Sequence, residues 1–379
     1  MILNETQELV RDTARHFART RLAPHARQWE VDGAIPEDVF HEMGALGFLG
    51  MTVPEALGGA GLDYVSYAVA LMEIAAGDGA ISTIMSVNNA PVCAILVAQG
   101  SPAQQARFLQ PLATGGQIGA FALTEPQAGS DASNLRMTAR RTEHGYTLDG
   151  VKQFITSGRI AKTVITFAVT DPAAGKRGIS AFLVPSDTPG FRVSGVEDKL
   201  GQQASDTAEL TYDSVFIEES LRLGAEGDGY RIALAHLEVG RIGIAAQSVG
   251  MAEAALTYAT RYAQERQAFG QPLAGHQAIL FRLADMATQI EAARELVFSA
   301  AALKQLGRPC LKEACMAKLF ASEAAEKVAS AAIQILGGYG YVRDYPVEKI
   351  YRDVRVCQIY EGTSDVQRIL IGRELLRSA

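Results

Sequence analysis

The 379-residue chain is predicted to be a multidomain α+β protein with a helical N-terminal domain, a middle antiparallel β domain and a C-terminal four-helix bundle. Three observations predict it. Apolar residues recur every three or four positions in the first third of the chain and every second position in the middle. After Gly227 the helical spacing returns in long, Ala-rich segments with few breakers. These changes of period place the domains at 1–118, 119–225 and 226–379.

In the first domain, Leu9, Val10, Ala14, Phe17, Ala18 and Leu22 line one side of a helix expected between Glu8 and Gln28. Ser101-Pro102 marks another helix start, because Ser accepts from free N–H groups and Pro suits the first turn. Gly58-Gly59-Ala60-Gly61 separates two helices. In the middle domain, Ile165, Phe167 and Val169 alternate with Thr166, Ala168 and Thr170. Residues 178–193 and 206–217 are further strand-like runs, and Asp149-Gly150 is expected to turn the chain between two strands. In the last domain, Tyr230–Gln264, Gln277–Leu306 and Leu311–Leu336 are expected helices. Phe320, Ala324, Val328 and Ile335 share one stripe, as bundle packing requires.

The formal charge of −7 and pI near 5.5 argue against polyanion binding as the main task, so no nucleic-acid partner is expected. Four cysteines (Cys93, Cys310, Cys315, Cys357) show no metal-ligand spacing and are expected to be buried thiols in a reducing compartment. The N-terminus lacks the basic and apolar regions of a secretory signal, and no uninterrupted apolar run is long enough for a membrane span. A cytoplasmic protein is expected. There is no G-x-G-x-x-G after a strand, no Walker loop, no H-E-x-x-H and no G-x-S-x-G. Any nucleotide cofactor is therefore held by something other than a Rossmann turn.

Six blocks carry the functional reading. The first runs from Phe121 to Asp131, where Pro126 and Gly129 force a turn after a strand expected to end at Thr124. Ser130 and its neighbours then offer donors in a concavity suited to a pyrophosphate. The others are Lys152–Gly158, Gly240–Ala245, Arg266–Gly270, Gln334–Gly340 and Ile359–Asp365. Taken singly, each has an ordinary reading. Phe154 suits a core, Arg266 a solvated helix, and Gly337-Gly338 a helix end. Glu361 reads as an acid ahead of a capping box formed by Ser364 and Gln367.

In this order and at these separations, the blocks resemble the acyl-CoA dehydrogenase family along nearly the whole chain, domain order included. The resemblance implies FAD as cofactor, an acyl-CoA substrate and electron-transferring flavoprotein as the electron acceptor. It implies that Thr124 lies near flavin N5, that Gly129 and Ser130 meet the pyrophosphate, and that Phe121 and Leu123 edge the isoalloxazine. Ser130 also stands on the substrate side. Phe154 is implied to pack on the flavin, with Thr156 beside it. Arg266, Phe269, Gln334 and Gly338 match residues that reach the FAD of a neighbouring subunit, which implies a homotetramer. Thr363 and Asp365 follow the base on the flavin side, and Gly362 lies against substrate. Arg241 matches an arginine beside the CoA portion. Glu238 stands where many members carry Asp.

The base implied by the resemblance is Glu361. Desaturating a thioester removes a proton from the α carbon and a hydride from the β carbon, and a free carboxylate with a pKa of about 4.3 is too weak for the first step. Desolvation of the carboxylate and donors to the thioester oxygen close the gap, while the flavin takes the hydride at N5. Isovaleryl-type members carry the base immediately before the arginine of the GRI block; here that residue is Gly240, so the acid at 361 is the base. Two other readings are an acyl-CoA oxidase or related flavin oxidase on the same fold, and a non-catalytic or nucleic-acid-binding relative. An acidic pI and an intact Glu361 count against the last.

Overall fold

The computed structural model describes residues 1–377. Three helices of the N-terminal region frame the site: α1 (Glu5–Phe17), α2 (Tyr64–Gly77) and α3 (Gly79–Val87). Each starts on a side chain that accepts from a free amide: Asn4, Asp63 and Asp78. The helix expected over Glu8–Gln28 is split, since α1 runs into a wider π turn at Ala18–Leu22 and a separate helix covers Ala26–Asp32. Ser101 caps the next start with Gln104 in a full capping box and Pro102 in the first turn.

The middle region is an eight-stranded sheet in the order β6-β7-β3-β2-β4-β5-β8, with β1 also on β4. Its strands are β1 (Gly119–Ala122), β2 (Thr138–Arg141), β3 (Gly145–Thr156), β4 (Thr163–Val169), β5 (Ile179–Pro185), β6 (Phe191–Val196), β7 (Thr207–Glu218) and β8 (Arg222–Leu223). Pairing is antiparallel except where β1 and Thr138 at the start of β2 run parallel to β4. Asp149-Gly150 does not turn the chain. The two residues sit inside β3, where the register against β7 slips between Leu148 and Gly150. Gly150 takes a φ of 150° there and Asp149 accepts from the Ser214 amide, so the turn-forming pair is used as a bulge.

The last region supplies α4 (Gly229–Glu265), α5 (Gln277–Gln305), α6 (Leu311–Leu336), α7 (Val347–Val354) and α8 (Ser364–Arg377). Helices α4, α5 and α6 pack side by side, and α8 lies on α6. Small residues set the approach distance: a Cβ on Gly250 of α4 would overlap the Met72 carbonyl of α2. Ala324, Val328 and Ile335 are buried as expected, but Phe320 is 39% exposed. The inner face of α6 is built from Ala317, Ala321, Ala325 and Ala332, which leaves Phe320 at its margin. The helices at the two ends of the chain share one continuous core, with Tyr67, Leu71 and Ile74 of α2 among Ile242, Ala245 and Val249 of α4.

Candidate active site

The segment before α8 is not helical, and it carries the acid. Glu361 and Gly362 both have left-handed backbones, with φ of 51° and 92°. A non-glycine residue there costs on the order of 1 kcal/mol or more and persists only when its surroundings impose it. Four hydrogen bonds impose it. The Tyr360 hydroxyl donates to Gln247 Oε1 of α4 at 2.5 Å. The Gly362 carbonyl accepts from Gln367 Nε2 at 2.8 Å and from Lys318 Nζ at 2.6 Å. The Thr363 hydroxyl accepts from the Val366 amide at 3.3 Å and caps α8. The expected Ser364–Gln367 box is thus shifted: Thr363 is the cap, and Gln367 reaches back to the carbonyls of Glu361 and Gly362.

The Glu361 carboxylate points into the protein. Its Oε2 is buried and has no hydrogen-bond partner. Burial pushes its pKa up to about 7, against the pull of the Lys318 and Arg241 charges. A Cβ on Gly240 would overlap Oε2, so only glycine at 240 leaves the carboxylate its place. Arg241, the next residue of α4, is 5% exposed, and its Nε and Nη1 have no partner. Its charge acts on Glu361, Cys315 and Lys318. The structure therefore sets Arg241 in the interior beside the acid. Glu238 is already engaged: Lys304 pairs with it at 3.0 Å and the Cys310 thiol donates to it at 3.3 Å.

The strand residues form a second group. Phe121 lies edge-on to Phe167 with centroids 5.0 Å apart, and Leu123 is buried. The Thr124 carbonyl accepts from the Gln153 amide, which ties the end of β1 to β3. Strand β1 ends at Ala122, two residues earlier than expected, because from Leu123 the chain is held by a buried pair instead of by sheet pairing. Lys152 Nζ donates to the Leu123 carbonyl at 2.9 Å and to Glu125 Oε1 at 2.8 Å. Burial raises the Glu125 pKa, but the Lys152 charge and the donors from Arg136 and Gln127 bring it below the usual carboxylate range. The turn expected at Pro126–Gly129 is present, closed by the Glu125–Ala128 bridge, and Gly129 and Ser130 are exposed beyond it. Phe154 is 61% exposed at a φ of 58°, and Thr156 ends the strand. An exposed aromatic ring held on a left-handed backbone is what a planar group such as a flavin needs in order to stack.

Arg266 and Gly338 form a third group. They line a cleft of about 970 Å³ with Tyr262, Tyr339 and Tyr345, and the Arg266 guanidinium lies 5.8 Å from the centre of the Tyr339 ring. Phe269, 97% exposed at a φ of 51°, and exposed Gln334 are not in its lining. Asp365 is exposed and pairs with Arg368 at 3.3 Å one turn along α8. Sequence reasoning missed Lys318 and Gln247, and it gave no role to Lys152, Glu125 and Tyr360 within the blocks that contain them. A signal existed for Lys318, a lone charge on a stripe of Ala314, Ala317, Ala321 and Ala325.

Family models for the acyl-CoA dehydrogenase N-terminal, middle and C-terminal domains match residues 4–116, 120–215 and 227–376. The chain belongs to the acyl-CoA dehydrogenase family. It is 49% identical over 376 residues to an acyl-CoA dehydrogenase of Bacillus subtilis (strain 168), covering 99% of both chains. Among solved structures, butyryl-CoA dehydrogenase of Megasphaera elsdenii superposes with a TM-score of 0.96 at 42% identity, over 100% of both chains. A chain from a structural study of the electron-transferring flavoprotein of Acidaminococcus fermentans reaches a TM-score of 0.98 at 44% identity, covering 100% of this chain and 99% of that one. The family is one of FAD-dependent oxidoreductases, as the sequence blocks imply.

Proposed function

We propose that this protein desaturates acyl-CoA thioesters to trans-2-enoyl-CoA, with Glu361 removing the α proton. The observation that carries the reading is a buried carboxylate with an unpartnered oxygen, fixed on a left-handed turn against the bare backbone of Gly240. A carboxylate taken out of water becomes a stronger base, and an oxygen without a donor remains available to a substrate proton. The rigid turn holds that oxygen in one place, so little reorganisation is needed as the proton moves. The amide of Glu361 is the chain's own donor toward the thioester oxygen, and Gly362 keeps the substrate side clear.

When bound, FAD supplies the acceptor for the β hydride. The residues that would hold it are Phe121, Leu123, Thr124, Gly129, Ser130, Phe154 and Thr156, with Thr363 and Asp365 beyond the base. Arg266, Phe269, Gln334 and Gly338 would complete the FAD site of a neighbouring subunit in a homotetramer. The exposed ring of Phe154 and the cleft beside Arg266 support these assignments. Electrons pass to an electron-transferring flavoprotein, a reading supported by the Acidaminococcus neighbour.

A short acyl chain is the expected substrate. It is supported by the butyryl-CoA neighbour and by a short-chain specific acyl-CoA dehydrogenase of Homo sapiens, 47% identical over 376 residues and covering 99% of this chain and 91% of that protein. Four buried free thiols support a cytoplasmic setting. Among the described residues, Gly79–Gln99 is long and apolar enough to cross a membrane, but 89% of its most apolar 18-residue window is buried in the fold.

The test is anaerobic bleaching of the flavin by a panel from butyryl- to palmitoyl-CoA, branched esters included. The wild type is expected to bleach with short esters, while Glu361→Gln binds FAD and ester but does not. Bleaching by Glu361→Gln at the wild-type rate moves the base elsewhere.

A further inference from the structure

Among the described residues, Lys318 is the one buried ammonium in contact with the turn that carries Glu361. Its side chain has no exposure, its Nζ donates to the Gly362 carbonyl at 2.6 Å, and its charge acts on Glu361. An ammonium is expensive to bury and is retained only where its charge or its hydrogen bonds are used. The Gly362 carbonyl already accepts from Gln367 Nε2 at 2.8 Å, so the turn has a neutral clamp without the lysine. What Lys318 adds is charge.

We propose that Lys318 is a positioning residue for Glu361: it pins the left-handed Glu361–Gly362 turn, and its positive charge favours the ionised form of the buried carboxylate. The inference rests on the reading of Glu361 as the base. The groups facing this pair come from every packed element. Arg241 stands on α4, Cys315 on α6 and Tyr67 on α2; Cys357 and Tyr360 belong to the segment before the base. Among them only Arg241 and Lys318 are cationic side chains, and both lower the basicity that burial raises. Burial in turn pushes Lys318 down to about 8, still above Glu361, so it is mostly protonated at the pH where the carboxyl is half ionised.

The sign follows directly. Removing a neighbouring positive charge raises the Glu361 pKa, so the acid limb of any process needing the carboxylate moves to higher pH. The experiment is anaerobic stopped-flow flavin reduction with saturating butyryl-CoA from pH 5.5 to 9, on holoenzyme with matched FAD content. Lys318→Met is expected to lower the ratio of the rate at pH 6 to that at pH 9 by about tenfold, the effect of a one-unit shift. Lys318→Gln keeps an N–H donor for the carbonyl without the charge and is expected to give the same limb shift. Lys318→Arg is expected to restore the wild-type limb. Gln367→Leu removes the neutral clamp and is expected to lower the plateau without moving the limb.

A second readout does not depend on turnover. The protonated-carboxyl infrared band that is lost in Glu361→Gln should titrate at higher pH in both charge-removing variants. A wild-type limb and a wild-type infrared titration in folded Lys318→Gln overturn the proposal. Retained flavin reduction in Glu361→Gln overturns the assignment of the base instead, and the infrared result still judges the coupling between Lys318 and Glu361.

Discussion

At the scale of single residues, the site combines features that cost stability and are useful for chemistry. The Glu361 pKa in the folded protein, about 7, lies above the value of about 4.5 for an unshifted carboxyl. The folded state therefore binds more protons than the unfolded chain between these values, and stability falls as pH rises through that window. Replacing Glu361 by Gln is expected to raise stability at pH 8 by on the order of 3 kcal/mol, and the gain should vanish below about pH 4.5. Thermal unfolding across pH at saturating FAD measures it; equal melting temperatures at pH 8 would sink the idea. The same titration predicts that wild-type flavin reduction weakens as pH drops through about 7.

Gly240 and Glu361 also constrain each other. Gly240→Ala should remove most of the activity with Glu361 present, because the new methyl occupies the place of Oε2. Stability measurements on Gly240→Ala, Glu361→Gly and the double variant should show strong non-additivity, with the alanine tolerated once the carboxylate is gone.

At the scale of elements, the sequence was most legible where periodicity speaks and least where a side chain reaches across elements. The long helices were expected at Tyr230–Gln264, Gln277–Leu306 and Leu311–Leu336, and they lie within a residue or so of those bounds. Asp149-Gly150 was misread as a turn because its local chemistry suits one, while Asp149 is recruited by the Ser214 amide on the neighbouring strand. Thr363 was passed over as the cap of α8 because Ser364 and Gln367 show the same pattern one residue later. Thr363→Ala should cost about 1 kcal/mol in stability. Ser364→Ala should cost much less, since the Ser364 hydroxyl has no partner.

Lys152 and Glu125 were invisible as a pair, since 27 residues separate them and only the fold brings them together. Lys152→Met strands Glu125 in the interior and is expected to cost about 3–5 kcal/mol, with reduced FAD retention. Denaturant unfolding together with flavin content checks both. Unchanged stability would mean that Glu125 finds another cation.

At the scale of the whole molecule, the three regions meet along a buried polar seam. Lys349 pairs with Asp78 at 2.9 Å and with Asp353 at 2.6 Å. Asp353 accepts from the Gln202 amide, and Thr83 donates to Gln202 Oε1 at 2.6 Å. Gln247 Nε2 donates to Thr83, and Gln247 Oε1 accepts from Tyr360 beside Glu361. The seam thus joins the helical N-terminal region, the loop between β6 and β7, and the bundle. Lys349→Met leaves two buried carboxylates without their cation and should lower the melting temperature of the whole protein rather than of one region. Calorimetry resolving a separate low-temperature transition would contradict this.

The core shared by both ends of the chain has a consequence for biosynthesis. Helices α2 and α3 are made early, but α4, which covers both, and α5, which also packs on α2, are made only after the sheet. Until then the faces of α2 and α3 that meet α4 stay uncovered, although the stretch Gly79–Gln99 is apolar enough by length and composition to enter a bilayer. The nascent chain therefore carries a long adhesive surface for much of its synthesis. A fragment ending at residue 225 should be captured by chaperones or aggregate, while co-expression of residues 226–379 should rescue it.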